Sequence, residues 1–152
     1  ISAGHTKEAA LDLLAEGLSE LGKRAKEVGV SLIYEPLNRY ESNLINTLQA
    51  GGEFLDSNQL EGIVLLADLF HMNIEEENLA QSLSKNAKHI GHVHFADSNR
   101  RPMGLGHTDM KPIAEALKNS GYSGFVSAEA FPYPNPEEGA FQTIREFKKH
   151  FR

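Results

Sequence analysis

Apolar positions along this chain follow two different periods. Between Thr6 and Gly29, residues Leu11, Leu14, Leu18, Leu21, Ala25 and Val28 recur at spacings of three and four, which predicts a helix with an apolar stripe on one face. Thr6 is placed to cap it, Glu8 puts negative charge in its first turn, and Gly29 stands where the chain must leave the helix. Four short apolar runs follow, near residues 31–35, 62–68, 90–96 and 124–129. Each reads as a buried parallel strand, and a helical pattern follows each one. The helices are expected at about Thr47–Asn58, where Gly51-Gly52 weakens the pattern, and at Glu75–Lys88. A third is capped by Thr108 or Asp109 and ended by Gly121, and a fourth runs from about Glu137 to Phe151 with a basic end. The chain is therefore one helix and four β–α units of the α/β class, with strand ends roughly 30 residues apart, a spacing that suits a barrel or an open doubly wound sheet. No low-complexity linker divides it, so residues 1–152 are expected to form a single domain.

The strand ends carry the candidate chemistry. The four runs finish at Glu35, Asp68, His94 and Glu129. In a parallel sheet with helical crossovers all strand C-termini open on one side, so these side chains converge on one crevice. Two Glu, one Asp and one His describe a divalent-metal site with carboxylates to spare for proton transfer. Mixed carboxylate and imidazole ligands suit Mn²⁺, Co²⁺, Mg²⁺ or Zn²⁺. Taken one at a time the signals are weak: Glu35 could pair with Arg39, Asp68 could cap the next loop, and His92-Val93-His94 could hold a core histidine. His71, Arg100, Glu41, Asn38 and His107 lie on loops at the same side. His71 and Arg100 are candidates for substrate hydroxyls, whereas His107 and Asn38 read by default as solvated. Gly104-Leu105-Gly106 resembles a phosphate-cradling loop only loosely, with no Walker lysine, which argues against a nucleotide.

Composition narrows the field further. A net charge of −6 offers no basic stripe for phosphate backbones, so no nucleic-acid partner is expected. The absence of cysteine excludes disulfides, thiolate metal sites and thiol nucleophiles, and fits a cytoplasmic protein. The longest strongly apolar stretch, around Ile63–Ala67, is too short to span a bilayer, so no membrane partner is expected. The chain begins at Ile1, which leads to the expectation that it was processed or belongs to a longer product.

Four segments together resemble a known family. They are Glu35-Pro36-Leu37-Asn38-Arg39-Tyr40-Glu41, the run Asp68 to Glu76, His92 to Arg100, and Ser127-Ala128-Glu129. They are similar to ketose 3-epimerases of the D-tagatose 3-epimerase type, in the sugar isomerase/epimerase superfamily with the xylose-isomerase-like TIM barrel. The resemblance covers nearly the whole chain from Thr6 onward, and Asp68–Glu76 is its most specific part.

The resemblance implies a (β/α) TIM-barrel fold of which this chain is the C-terminal half, the first four strands being absent. It implies that Glu35, Asp68, His94 and Glu129 hold one Mn²⁺ or Co²⁺, and that Glu35 and Glu129 are the acid–base pair on opposite faces of the sugar carbon. It also implies that His71, Arg100 and Glu41 contact the substrate. The expected activity is inversion of C3 of a ketose through an enediolate. The alternatives are an aldose–ketose isomerase or dehydratase of the same superfamily, or an inactive half-barrel. An open four-stranded sheet exposes two edges, so a homo-oligomer is expected. An apurinic endonuclease of this fold needs more histidines and a basic DNA face, which the acidic balance disfavours.

Overall fold

The computed structural model describes Ile1 and residues 4–152. Thr6 Oγ1 accepts from the Ala9 N–H at 3.1 Å and starts α1 (Lys7–Glu27), and Gly29, at φ +76°, turns the chain away after it. The order then runs β1 (Leu32–Tyr34), α2 (Leu48–Ser57), β2 (Ile63–Asp68), α3 (Leu69–Glu75), α4 (Leu79–Lys85), β3 (Ile90–His94), α5 (Met110–Asn119), β4 (Phe125–Ser127) and α6 (Pro136–Phe151). The strands form one parallel sheet in the order β1-β2-β3-β4. Sequential order with a helical crossover at every step is the topology of a barrel segment.

Several expectations need correction. The helix expected over Glu75–Lys88 is shorter: α3 ends at Glu75, α4 covers only Leu79–Lys85, and a short 3₁₀ turn follows at Ala87–His89. Asp68 starts α3 at once by accepting from the Phe70 and His71 N–H groups, and Asn78 caps α4 anew. Glu76, Glu77 and Asn78 therefore lie between two helices rather than opening one long helix. Of the two residues expected to cap α5, Asp109 does so. The regular strands are shorter than the apolar runs, although Phe95 still donates its N–H to Ser127 O at 2.7 Å beyond β3.

The core lies between the sheet and its helices. Leu65, Ala67, Val93, Leu48, Leu83, Ile113 and Leu117 are buried together there. Burial of large apolar side chains contributes about 1.5–3 kcal/mol apiece, which is why the apolar runs become strands under helices. The glycine pair in α2 is a packing device rather than a break: a Cβ on Gly51 would meet Leu65 side-chain carbons at 3.1 Å, and one on Gly52 would meet His89 Cδ2 at 2.7 Å. The opposite sheet face is uncovered, with Ile33 47% and Phe125 81% exposed. None of the described helices is long and apolar enough to cross a membrane.

Candidate active site

Sheet register sets the geometry of the strand ends. Asp68, the last residue of β2, is paired with His94, the last of β3, and His94 is paired with Ser127 of β4. Glu35 follows β1 by one residue, and Glu129 follows β4 by two. Each of Glu35, Asp68, His94 and Glu129 offers one donor atom, and all four atoms lie within 4.8 Å of one another. His94 Nδ1 is 3.0 Å from Asp68 Oδ2, 3.6 Å from Glu129 Oε2 and 3.9 Å from Glu35 Oε1. Asp68 divides its oxygens: Oδ1 caps α3, and Oδ2 faces the cluster.

Three carboxylates this close repel one another. Burial, reinforced by Asp68 and Glu129 against the pull of His94 and Arg100, pushes the Glu35 carboxyl up to about 6. The cation that reaches the cluster is Arg100. Its guanidinium donates to Glu129 Oε2 at 2.8 Å, lies 3.5 Å from Glu41 Oε1, and stacks 4.9 Å from the centre of the Phe70 ring. Its backbone sits at φ +58°, a left-handed conformation that non-glycine residues seldom adopt.

His71 is not a solvated loop residue. It is 1% exposed, and its Nδ1 accepts from the Asn38 backbone N–H at 3.2 Å and faces the Asn38 side-chain nitrogen at 2.8 Å. Two donors at Nδ1 leave the ring N–H at Nε2, aimed at Glu35 Oε1 from 3.6 Å. Asn38, expected to be solvated, is 2% exposed; it donates to Glu41 Oε1 at 3.0 Å and accepts from the Tyr40 N–H. Sequence reasoning missed this role, although the local spacing Asn38-x-x-Glu41 was visible. Arg39 does not pair with Glu35 but with Glu75, through Nε at 3.0 Å and Nη2 at 3.0 Å. His107 stays at the surface, bonded to Ser98 Oγ, and His92 lies against Ser127 Oγ at 2.7 Å, edge-on to His94.

The donor set fits a divalent cation. Glu35 Oε1 and His71 Nε2 are buried and have no hydrogen-bond partner among the described residues, a costly arrangement for polar atoms. An ion at the cluster would meet the first of these needs and offset the repulsion among the carboxylates. Oxygen and imidazole donors suit such an ion.

The model of the xylose isomerase-like TIM barrel family matches residues 1–150. The chain belongs to this family. Among its relatives, a 3-dehydro-D-guloside 4-epimerase of Escherichia coli is 38% identical over 117 residues, covering 77% of this chain and 45% of that protein. A D-psicose 3-epimerase of Ruminiclostridium cellulolyticum is 37% identical over 116 residues, covering 76% and 40%. In three dimensions the apo 3-keto-D-glucoside 4-epimerase from E. coli superposes with a TM-score of 0.91 at 31% identity, over 97% of this chain and 57% of that one. A D-psicose 3-epimerase from Clostridium cellulolyticum with D-tagatose gives 0.87 at 27%, over 100% and 61%. The chain thus spans less than half the length of these curated relatives, and its four strands are part of the family's barrel.

Proposed function

We propose that this chain carries the metal and acid–base half of a sugar epimerase that inverts a carbon next to a carbonyl, C3 of a ketose being the first expectation. The observation that carries the reading is the convergence of Glu35, Asp68, His94 and Glu129 within 4.8 Å, in a chain similar to ketose 3-epimerases. In this reading the four residues hold one divalent cation, Mn²⁺ or Co²⁺ first. The ion would supply Lewis-acid stabilisation of charge on the sugar oxygens.

The protein's own groups do the rest. Glu35 and Glu129 come from opposite edges of the sheet, from the ends of β1 and β4. They approach a sugar carbon from two sides, so one carboxylate removes the proton and the other returns one to the opposite face of the enediolate. Without a cation, burial and the neighbouring carboxylates push Glu35 up to about 6. His71 Nε2–H and the Arg100 guanidinium donate to the carbonyl-end oxygens, and Glu41 accepts from a hydroxyl. The names of two relatives favour a second reading by the same chemistry, inversion at C4 of a 3-keto sugar, since that proton too lies next to a carbonyl.

The rest of the family barrel would supply further substrate contacts. We therefore read residues 1–152 as a half-barrel domain of a longer, cytoplasmic protein, which associates with further copies of itself. The test is deuterium uptake from D₂O into C3 of D-fructose, D-tagatose or L-ribulose, and into C4 of a 3-keto glucoside, with Mn²⁺ added to the full-length protein. Uptake with retention of the ketose supports epimerisation. An aldose product turns the assignment to an isomerase, loss of water to a dehydratase, and no uptake refutes the reading.

A further inference from the structure

Asp97 lies three residues beyond His94, and its carboxylate is wholly buried, with 0% of the residue exposed. The salt bridges of the described residues include none to Asp97; backbone amides surround it instead. Oδ1 accepts from the Ser98 N–H at 2.7 Å and the Thr108 N–H at 3.0 Å. Oδ2 accepts from Gly104 at 2.7 Å and Gly106 at 2.8 Å. The Gly104-x-Gly106 run therefore does cradle an anion, but an internal one. A Cβ on Gly106 would stand 2.3 Å from Asp97 Oδ1, so the cradle closes only around glycine. Four amides from both ends of the loop converge on one side chain, and that fixes the backbone between them. Within this loop Arg100 takes its left-handed conformation, its N–H bonded to Asp97 O at 2.8 Å and its carbonyl accepting from the Phe131 N–H at 2.7 Å.

We propose that Asp97 is a positioning residue for the active site: its amide-caged carboxylate folds loop 97–108 so that the Arg100 guanidinium is held across Glu129 and Glu41. The consequence for the cation site rests on the reading given under Proposed function, whereas the placement of Arg100 does not. Because Arg100 donates to Glu129 Oε2, it competes with a cation for that oxygen. Releasing Arg100 should tighten metal binding.

Asp97→Glu keeps the charge but is one methylene too long for the cage. Two measurements read its effect. In metal-free protein, NMR of the Arg100 guanidinium should show hindered rotation and separate Nη signals, lost in Asp97→Glu while the far-ultraviolet circular dichroism is retained. In calorimetry, Arg100→Ala should raise Mn²⁺ affinity by up to about fivefold, the scale of one partly exposed ion pair. Asp97→Glu should do the same, and the double variant should match Arg100→Ala alone. Unchanged Arg100 signals in Asp97→Glu overturn the proposal. So does an equal effect of Asp97→Glu in the Arg100→Ala background, which marks a general structural role. If wild type binds no Mn²⁺, the cation reading fails and the Arg100 signals alone decide. If Asp97→Glu does not fold, Asp97→Asn, which puts a side-chain N–H₂ where a carboxylate oxygen accepts two backbone N–H groups, takes its place in both measurements.

Discussion

His71 Nε2 faces Glu35 Oε1 across 3.6 Å, and neither atom has a hydrogen-bond partner among the described residues. One belongs to the first turn of α3 and the other to the exit of β1, so the pair spans two neighbouring βα units. The buried gap between them is where an ion and a sugar oxygen would satisfy both.

Divalent metal should stabilise the chain. Mn²⁺ at about 100 times its Kd is expected to add about 2.7 kcal/mol, read as a rise in Tm that EDTA reverses. Glu35→Gln and Glu129→Gln in the full-length protein should abolish turnover while the sugar still binds. Substantial residual epimerisation by either variant would falsify the two-base mechanism.

Asp68 should separate into two functions. Asp68→Asn keeps an oxygen for the Phe70 and His71 N–H groups, so the fold should persist while the Mn²⁺-induced rise in Tm is lost. Asp68→Ala should lose the cap as well, at about 1–2 kcal/mol. Equal denaturant midpoints for the two variants in EDTA would show that the cap contributes nothing.

The pH dependence has a defined sign. Glu35 has its carboxyl raised from 4.5 to about 6 in the folded chain, so the native state binds the proton more tightly than the unfolded one. The stability it contributes is fully present below about 4.5 and is lost as pH rises to about 6. In EDTA, denaturant midpoints should therefore lose the Glu35 contribution across that window. Mn²⁺ affinity should do the opposite and fall by about tenfold per pH unit below about 6, because the ion needs the carboxylate. A Glu35→Gln variant should lose both dependences in this window.

Asn38 should act through its partners. Asn38→Leu fills similar space but takes away the side-chain donor to His71 and Glu41 and the acceptor for Tyr40 N–H. Unpaired buried groups cost about 1–3 kcal/mol. The expected result is a lower denaturant midpoint together with a raised KM, and a shift in KM without loss of stability would contradict this account.

The open sheet should make the isolated chain associate. β1 and β4 are edge strands, and Phe125 and Ile33 stand exposed on the uncovered face. Sedimentation should show a species above the monomer mass, reduced by Phe125→Lys. A monomer at every concentration tested would count against association.

Much of the fold was legible because its signals are periodic. The stripe of α1, the four apolar runs and the cap at Thr6 are local patterns, and each became the expected element. The failures were local contests that pattern alone could not decide. Asp68 could cap a loop or a helix, and it caps a helix that ends at Glu75, so the expected Glu75–Lys88 helix starts only at Leu79. The paired glycines of α2 looked like helix breakers until Leu65 and His89 were found packed against them.

The sequence by itself determined which residues stand at the strand ends, because strand period and βα spacing place Glu35, Asp68, His94 and Glu129 on one side of any parallel sheet. Tertiary structure alone decided their partners. Arg39, four residues from Glu35, went to Glu75, while Arg100 came from a distant loop to Glu129. His71 and Asn38, polar residues 33 positions apart, were buried against each other. The physical reason is range: periodicity is written in neighbouring residues, whereas a long-range ion pair or amide cage depends on backbone geometry fixed only when strands have paired and loops have closed over them.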